Sequence, residues 1–278
     1  MSAPQYQNPK PTEGINYSHE HPLKEFAQLL VGIGVLILLA ILLINTFAGA
    51  IAQRIPFEYE QRMVGDLEFT QVTPSARQEY LQVFSEKVAA QMDLPKGMAL
   101  TVHYDEDEMV NAFATLGGNI VFFRGLIDEV ESEQELATVV AHEIAHIKYR
   151  HPIVAFGKGA TLITFASFVG GASGSSAGEW LIGGSANLTL LKYSRDQERA
   201  ADQAAAEALQ RLYGHIGGAQ QLFESFADIE AKDIDEAGGV EMFRSHPYSE
   251  DRWLELKELA GQQGWQTEGE LTALEIVD

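Results

Sequence analysis

The sequence predicts an α+β protein that is mainly helical, with a small β-sheet and one transmembrane helix ahead of the folded domain. Three observations lead to this fold class. Residues 26–53 contain no charged residue, short strand-like segments lie between residues 99 and 123, and the segments beyond them carry apolar residues at helical spacing. We therefore divide the 278 residues into an N-terminal tail (1–25), an anchor (26–53) and one folded domain (57–278).

The charge of the chain is concentrated in the folded domain. The formal net charge is -21, and residues 1–56 contain three basic and three acidic residues, so the whole excess lies in residues 57–278. A strongly acidic domain argues against binding to nucleic acid and against electrostatic adhesion to anionic lipid. The chain has no cysteine, which excludes disulfides and thiolate metal ligands.

The N-terminal region predicts a disordered tail followed by a membrane anchor. Residues 1–25 are rich in Pro, Gln and Asn and lack apolar periodicity. Residues 29–44 are apolar throughout, and at about 1.5 Å per residue the uncharged segment is long enough to cross a bilayer core of about 30 Å. A cleaved signal peptide is the alternative, because residues 48–50 are small. The length of the apolar run favours an uncleaved anchor.

The first part of the domain predicts one helix and three strands. Thr73 is predicted as the N-cap of a helix that runs to about Gln91, with a proline at its first position. Strands are predicted at residues 99–104, 109–115 and 120–123. An exposed strand edge can hold a peptide by main-chain pairing. The candidate edge includes Asn111, Ala112, Phe113 and Ala114; an interior strand is the alternative.

The strongest motif is His142-Glu143-Ile-Ala-His146. Residues four apart lie on the same face of a helix, so the two imidazoles could bind one metal ion. Glu143 could then act on a water molecule without being a ligand, which is the arrangement of zinc peptidases. Ser132 and Glu135 form a predicted capping box at the start of this helix. Its apolar positions predict that one flank is buried.

A catalytic zinc site needs a third protein ligand. Glu198 and Asp202 are the best candidates for a ligand and for a carboxylate that orients a ligating histidine, because they are four residues apart in a predicted Ala-rich helix. An acidic, solvated helix is the alternative. The alanines favour close packing instead.

These residues together resemble a known family. Five signals occur in the order found in membrane-associated zinc metallopeptidases: Asn111-Ala-Phe-Ala, Gly118-Asn-Ile-Val, the His142–His146 motif with a following His151, Glu198-x-x-Ala-Asp202 and His246-Pro. That family contains the CAAX prenyl endopeptidase, HtpX-like and BepA-like proteases. The resemblance implies a zincin-type metallopeptidase domain with one Zn²⁺ per chain.

The resemblance also implies roles for individual residues. It makes His142, His146 and Glu198 the zinc ligands and Glu143 the catalytic base. His246 would approach the zinc, either stabilising the oxyanion or blocking the water position. Arg252 is a weaker candidate for the same electrostatic role.

The segment between the two metal motifs and the last helices are less specific. Residues 153–169 are apolar except for one lysine, so a second transmembrane span is possible. We expect instead helices and a mobile loop, a lid that lies over the active site or against the bilayer surface. Helices are predicted at residues 218–232 and from Ser249, as the cap, to Leu259. The acidic tail after them has no readable motif.

The sequence therefore predicts a membrane-anchored zinc endopeptidase that hydrolyses protein or peptide substrates in envelope quality control. A chaperone or adaptor with a latent zinc site is the alternative, and a purely structural zinc site is a third. Basic residues are balanced on the two sides of the anchor. The acidic domain and the resemblance favour a bacterial inner-membrane protein with one span and a periplasmic catalytic domain. The oligomeric state is left open.

Overall fold

The computed structural model describes residues 22–52, 54–64, 75–157, 193–233, 246 and 250–276. The predictions for the tail up to residue 21, for Thr73, for Ser249 and for most of the predicted lid lie outside these residues. The chain divides into two compact units, Met1–Leu43 and Ile44–Asp278.

The first described element is helix α1, Pro22–Ala52. It begins four residues before the predicted anchor, with a proline in the first turn, where a missing N–H has no helical partner to lose. Within it, Leu23–Ile44 has a mean hydropathy of 2.9 and none of its most apolar window is buried. By length and composition, α1 can cross a membrane.

The second unit is mainly helical. Its elements are α2 (Phe57–Val64), α3 (Ala76–Ala89), β1 (Thr101–Asp105), β2 (Ala112–Thr115), β3 (Asn119–Phe123), α4 (Arg124–Glu129), α5 (Glu133–Lys148), α6 (Arg195–Tyr213), α7 (Gly217–Asp233) and α8 (Glu250–Gln263). Residues 151–157 are also helical. The predicted α+β class, mainly helical with a small sheet, is confirmed.

The three strands form one mixed sheet in the order β1-β3-β2. β1 pairs parallel with β3, and β2 pairs antiparallel with β3, with Ala114 opposite Ile120. β2 therefore lies at an edge of the described sheet. The turn from β2 to β3 uses Gly117 and Gly118, whose φ angles of 74° and 84° favour glycine.

Helix α5 lies at the centre of the unit. The sequence predicts that one flank is buried, whereas all residues from Gln134 to Ile147 are buried. α6, α7, α3 and β2 surround it and enclose its polar face as well as its apolar one. Because buried polar groups need partners, the imidazoles and carboxylate on α5 must be satisfied by neighbouring elements.

Two predicted helix starts differ in detail. α3 is capped by Ser75 rather than Thr73: the Ser75 hydroxyl accepts a hydrogen bond from the backbone N–H of Gln78. At α5 the Ser132 hydroxyl accepts from the N–H of Glu135 as predicted, but the Glu135 carboxylate accepts from Glu131 instead of Ser132. Ser75 has the same capping chemistry as the predicted Thr73 and lies directly before Ala76, the first helical residue.

The C-terminal segment after α8 runs back to the start of α5. α8 ends at Gln263, four residues beyond the predicted end. The N–H of Glu133 donates to the carbonyl of Thr272, and the N–H of Leu274 donates to the carbonyl of Glu131. The tail without a readable motif thus supplies backbone partners at the first turn of the central helix.

Candidate metal centre

The α5 and α6 helices together build a buried group of potential metal ligands. His142 and His146 are one turn apart on α5, and Glu198 lies in the first turn of α6. Ala201 and Ala205 are nearly fully buried, so α6 can approach α5 closely. His246 joins them, and one ligand atom of each of these four residues lies within 4.8 Å of the others.

The distances between these atoms are close to those of a four-coordinate ion. The Nε2 atoms of His142 and His146 are 3.0 Å apart. The Glu198 carboxylate lies 3.4 Å from the first and 3.6 Å from the second. Ligands at the usual zinc–nitrogen bond length in a tetrahedral shell are about 3.3 Å apart. The arrangement therefore fits one metal ion of this size.

His142 is oriented by a carboxylate on α6. Its Nδ1 lies 2.9 Å from Asp202 Oδ1, which directs Nε2 toward the centre. Asp202 is held in turn by Arg252 of α8, whose Nε and Nη2 each lie 2.7 Å from its oxygens. Arg252 Nη2 also lies 3.1 Å from Glu198 Oε2. A forked guanidinium thus fixes both carboxylates of α6.

His146 is oriented by a histidine and a tyrosine. Its Nδ1 lies 2.9 Å from His151 Nδ1. Burial lowers the pKa of His151 to about 4, so this ring is neutral at neutral pH and can accept the hydrogen bond. The ring of Tyr193 stacks on His146 with centroids 3.9 Å apart. These contacts leave the Nε2 of His146 facing the other ligands.

Glu143 lies between the ligand group and strand β2. It is fully buried, and its Oε2 accepts a 2.7 Å hydrogen bond from the backbone N–H of Ala114. Burial raises the pKa of the Glu143 carboxyl. Its Oε1 has no hydrogen-bond partner among the described residues and lies 3.4 Å from His246 Nε2. One oxygen is anchored and the other faces the centre.

The electrostatics of the site favour a positive charge at its middle. Although burial opposes its charged form, hydrogen bonds to Asp202 and Glu198 raise the pKa of His142 to about 10. Burial also opposes the charged form of Glu198, but His246 and His142 hold its pKa far below the usual value. Glu143 Oε1 and His246 Nε2 are buried without a hydrogen-bond partner among the described residues, and Glu198 Oε2 is ion-paired with Arg252 but makes no hydrogen bond there. A cation bound at this point would compensate the buried charge of the Glu198 carboxylate.

The sequence profile of peptidase family M48 matches residues 75–260, which include every member of this buried group. The chain belongs to peptidase family M48. The predicted resemblance to the membrane-associated metallopeptidases is thereby confirmed.

Three M48 relatives place the match among bacterial proteases. The chain is 28% identical over 172 residues to the beta-barrel assembly-enhancing protease of Yersinia pestis, covering 56% of this chain and 33% of that protein. It is 29% identical over 224 residues to a protease HtpX homolog of Methylibium petroleiphilum, covering 68% and 77%. It is 27% identical over 154 residues to the metalloprotease YcaL of Escherichia coli, covering 54% and 58%. The chain thus spans about a third of the length of the first relative.

The M48 fold brings the sequence-predicted residues to one place. His142, His146, Glu198 and His246 converge, and Glu143 and Asp202 lie beside them. On the predicted edge, Ala114 reaches the site through its backbone. The other three predicted edge residues do not contact Glu143 through this hydrogen bond. Ala112 lies two residues before Ala114 on β2, Phe113 packs against Phe123, and Asn111 is buried just before the strand.

Sequence reasoning missed Tyr193. Its hydroxyl donates a 3.2 Å hydrogen bond to the carbonyl of Ala114, and its ring covers His146. The available signal was its place directly before Ser194, the N-cap of α6, where an apolar residue often packs onto the first turn of the helix.

Proposed function

We propose that this protein is a membrane-anchored, zinc-dependent endopeptidase that acts in envelope protein quality control. The observation that carries the proposal is the convergence of two imidazoles and a carboxylate around one point. The Glu143 carboxylate is buried beside them, with its Oε1 unpartnered among the described residues and 3.4 Å from His246 Nε2. A closed structural metal site has no use for such a carboxylate.

We assign the metal ligands to His142, His146 and Glu198. The donor set of two imidazoles and one carboxylate suits zinc, and the distances between the donors suit its bond lengths. When bound, zinc supplies a Lewis acid that polarises the scissile carbonyl and makes water more acidic. Asp202 and His151 hold the two imidazoles in the tautomer that presents Nε2.

Glu143 acts as general base and then as general acid. Its free oxygen takes a proton from the attacking water and delivers it to the leaving amine. The hydrogen bond from the Ala114 N–H holds the other oxygen, so the carboxylate keeps one orientation through both transfers. This anchoring is the contribution that β2 makes to catalysis in the proposal.

We assign the main chain of the substrate to the outer edge of β2, the stretch from Asn111 to Ala114. The N–H of Phe123 bonds to the carbonyl of Asn111, so by alternation the backbone groups of Ala112 and Ala114 face away from β3. In this state Glu143 and Tyr193 occupy the N–H and the carbonyl of Ala114. Ala112 is fully buried in this state, so an extended peptide pairs with it once the edge is uncovered.

His246 blocks the reaction centre in this conformation, and we assign it to a latent state. Its Nδ1 lies 3.2 Å from His142 Nε2 and 3.2 Å from Glu198 Oε1, where a fourth ligand of the metal would stand. Its Nε2 faces the free oxygen of Glu143. Moving His246 aside opens the position that water requires and frees the imidazole to stabilise the oxyanion.

The membrane anchor and the relatives support the proposed setting. α1 can span a bilayer, and the named relatives include a beta-barrel assembly-enhancing protease and an HtpX homolog. We propose one span in a bacterial inner membrane, with the acidic domain in the periplasm and misfolded envelope proteins as substrates. A chaperone or adaptor role is the second candidate, and the position of His246 against Glu143 favours it over other non-enzymatic roles.

Degradation of casein, an unfolded protein, tests the proposal. Detergent-purified protein should cleave casein, and a chelator should abolish the cleavage. If the wild type is inactive, His246→Ala is the matched variant, and in a latent enzyme it restores chelator-sensitive cleavage. Inactivity of both proteins would reject the endopeptidase and leave the chaperone role.

A further inference from the structure

The chain bends sharply at Arg150, just after the end of α5. The φ angle of Arg150 is 63°, in the left-handed region that side chains with a Cβ rarely adopt. Helices that end with a left-handed residue usually have glycine at that position. An arginine keeps this conformation only where its surroundings fix it. The contacts of the Arg150 side chain are therefore the first place to look for the reason.

The side chain of Arg150 is buried and is held by one short segment of chain, residues 55–60. Its Nη2 lies 2.5 Å from Glu60 Oε1 and donates a 2.9 Å hydrogen bond to the carbonyl of Ile55. Its guanidinium lies over the ring of Phe57, 5.5 Å from the centroid. These residues follow the end of α1 and form the first part of α2.

Helix α2 is itself fixed on the turn between β2 and β3. Glu60 Oε2 accepts a 3.3 Å hydrogen bond from the N–H of Gly117. A Cβ at Gly118 would lie 3.0 Å from the ring of Phe57, so the helix and the turn are in close contact. Because α2 is held on this side, Glu60 cannot follow a movement of Arg150. The ion pair therefore resists relaxation of the bend.

The bend places His151 against His146. Two residues five apart in a continuous α-helix point about 140° away from each other around the axis, so their rings do not meet. Here the Nδ1 atoms of His146 and His151 are 2.9 Å apart and the ring centroids 4.9 Å apart. The left-handed residue directly before His151 supplies the break in the helix that this contact requires.

We infer that Arg150 is a positioning residue for the metal centre: held by residues 55–60, it keeps the bend that returns His151 to the proposed ligand His146. The inference rests on the proposed zinc endopeptidase. It extends the metal centre by two steps, from His146 through His151 and Arg150 to the segment that follows α1. Zinc affinity then depends on the docking of α2.

A double-mutant cycle on zinc affinity tests this order of contacts. Chelator competition on the full-length, detergent-purified protein measures the dissociation constant. Arg150→Met should raise it at least about tenfold, as expected when a ligating imidazole loses its partner. Because Arg150 acts through His151, Arg150→Met/His151→Leu should bind zinc within about twofold of His151→Leu alone. Unchanged affinity in Arg150→Met, or losses that multiply in the double variant, would overturn the inference.

Leu81→Ala is the control for lost stability. Leu81 is fully buried in α3, a helix that carries no residue of the metal centre. The variant should be destabilised but should keep the zinc dissociation constant within about twofold of the wild type. A tenfold weaker affinity in this control would assign the effect of Arg150→Met to lost stability and overturn the inference. Should Arg150→Met fail to fold, Glu60→Leu/Arg150→Met replaces it in the cycle, because it leaves no buried charge.

Casein cleavage by the wild type separates this inference from the proposed function. Cleavage together with unchanged zinc affinity in Arg150→Met would retain the endopeptidase and reject the role of Arg150. The predicted cycle in a protein that cleaves no casein, as wild type or as His246→Ala, would retain the role of Arg150 and reject the endopeptidase. A wild type that binds no zinc would overturn both.

Discussion

The imidazole of His151 contacts the proposed metal ligand His146. Its Nδ1 lies 2.9 Å from the Nδ1 of that proposed ligand and holds the ring with Nε2 turned inward. Partners of this kind set the orientation and basicity of a ligating imidazole. His151 is therefore a positioning residue.

Replacing His151 tests this role. His151→Leu should raise the dissociation constant for zinc by about 10- to 100-fold, because His146 loses the acceptor that fixes its tautomer. His151→Gln keeps a side-chain oxygen and should recover part of the affinity. Chelator competition measures both. Unchanged affinity in His151→Leu would show that Tyr193 alone orients the ring.

Arg150 and Glu60 form a buried ion pair between the end of α5 and helix α2. Arg150 also donates to the carbonyl of Ile55, and Glu60 accepts from the N–H of Gly117 in the turn after β2. The pair thus connects the end of α5 with the turn between β2 and β3 and with the residues that follow α1. Removing one partner leaves the other charge buried.

We expect Arg150→Met to lower the free energy of unfolding by about 3–5 kcal/mol. Arg199 pairs with Glu255 on the surface, where both side chains are more than a third exposed. Arg199→Met is the matched control and should cost less than about 1 kcal/mol. Urea denaturation of the two variants measures the difference. Similar losses would mean that the buried pair contributes no more than a surface pair.

At the scale of elements, His103 joins β1 to β3. Its Nε2 lies 2.8 Å from Asn119 Oδ1. Burial lowers the pKa of His103, although the hydrogen bond opposes the shift. The unfolded chain therefore binds this proton at a higher pH than the folded chain, so stability is complete above about pH 6.5 and falls as the pH drops toward the folded pKa.

His103→Gln should flatten this part of the stability profile. Glutamine can donate to Asn119 but does not titrate, so the variant should lose less stability than the wild type between pH 7 and pH 5.5. Urea midpoints at the two pH values, at equal zinc concentration, give the comparison. An identical loss in both proteins would assign the pH dependence to other groups.

The C-terminal segment shows how one part of α5 depends on distant sequence. Gly269 packs against the ring of His215, and a Cβ at Gly269 would collide with that ring. Backbone pairing of Gln266 with Ile216 and of Thr272 with Glu133 holds the segment on both sides of this contact.

Gly269→Ala should destabilise the protein by about 1–3 kcal/mol, because the ring of His215 must move in a packed site. Gly261→Ala is the control: it lies in α8, and nothing lies within 4 Å of the added Cβ. It should be neutral or stabilising by up to about 1 kcal/mol, because alanine favours helix. Thermal unfolding ranks the two. Equal stability of the two variants would show that the C-terminal segment accommodates the added Cβ without loss of stability.

The sequence was most informative where one helix carries the whole pattern. His142 and His146, and likewise Glu198 and Asp202, are four residues apart on one helix. The functional face of each helix could therefore be predicted from local sequence. The buried enclosure of α5 could not be, because it depends on the C-terminal segment and on helices far along the chain. Tyr193 and the Arg150–Glu60 pair join residues about eighty or ninety apart in sequence. No local pattern encodes such contacts.

In the proposed mechanism Glu143 is the base beside a metal held by His142, His146 and Glu198. Zinc content and casein cleavage of Glu143→Gln, measured on the same sample and compared with the wild type, distinguish a base from a ligand. We predict one zinc ion per chain in both proteins and a loss of turnover of at least about 100-fold in the variant. Normal cleavage by Glu143→Gln would contradict the mechanism, and loss of zinc in the variant would make Glu143 a ligand instead of a base.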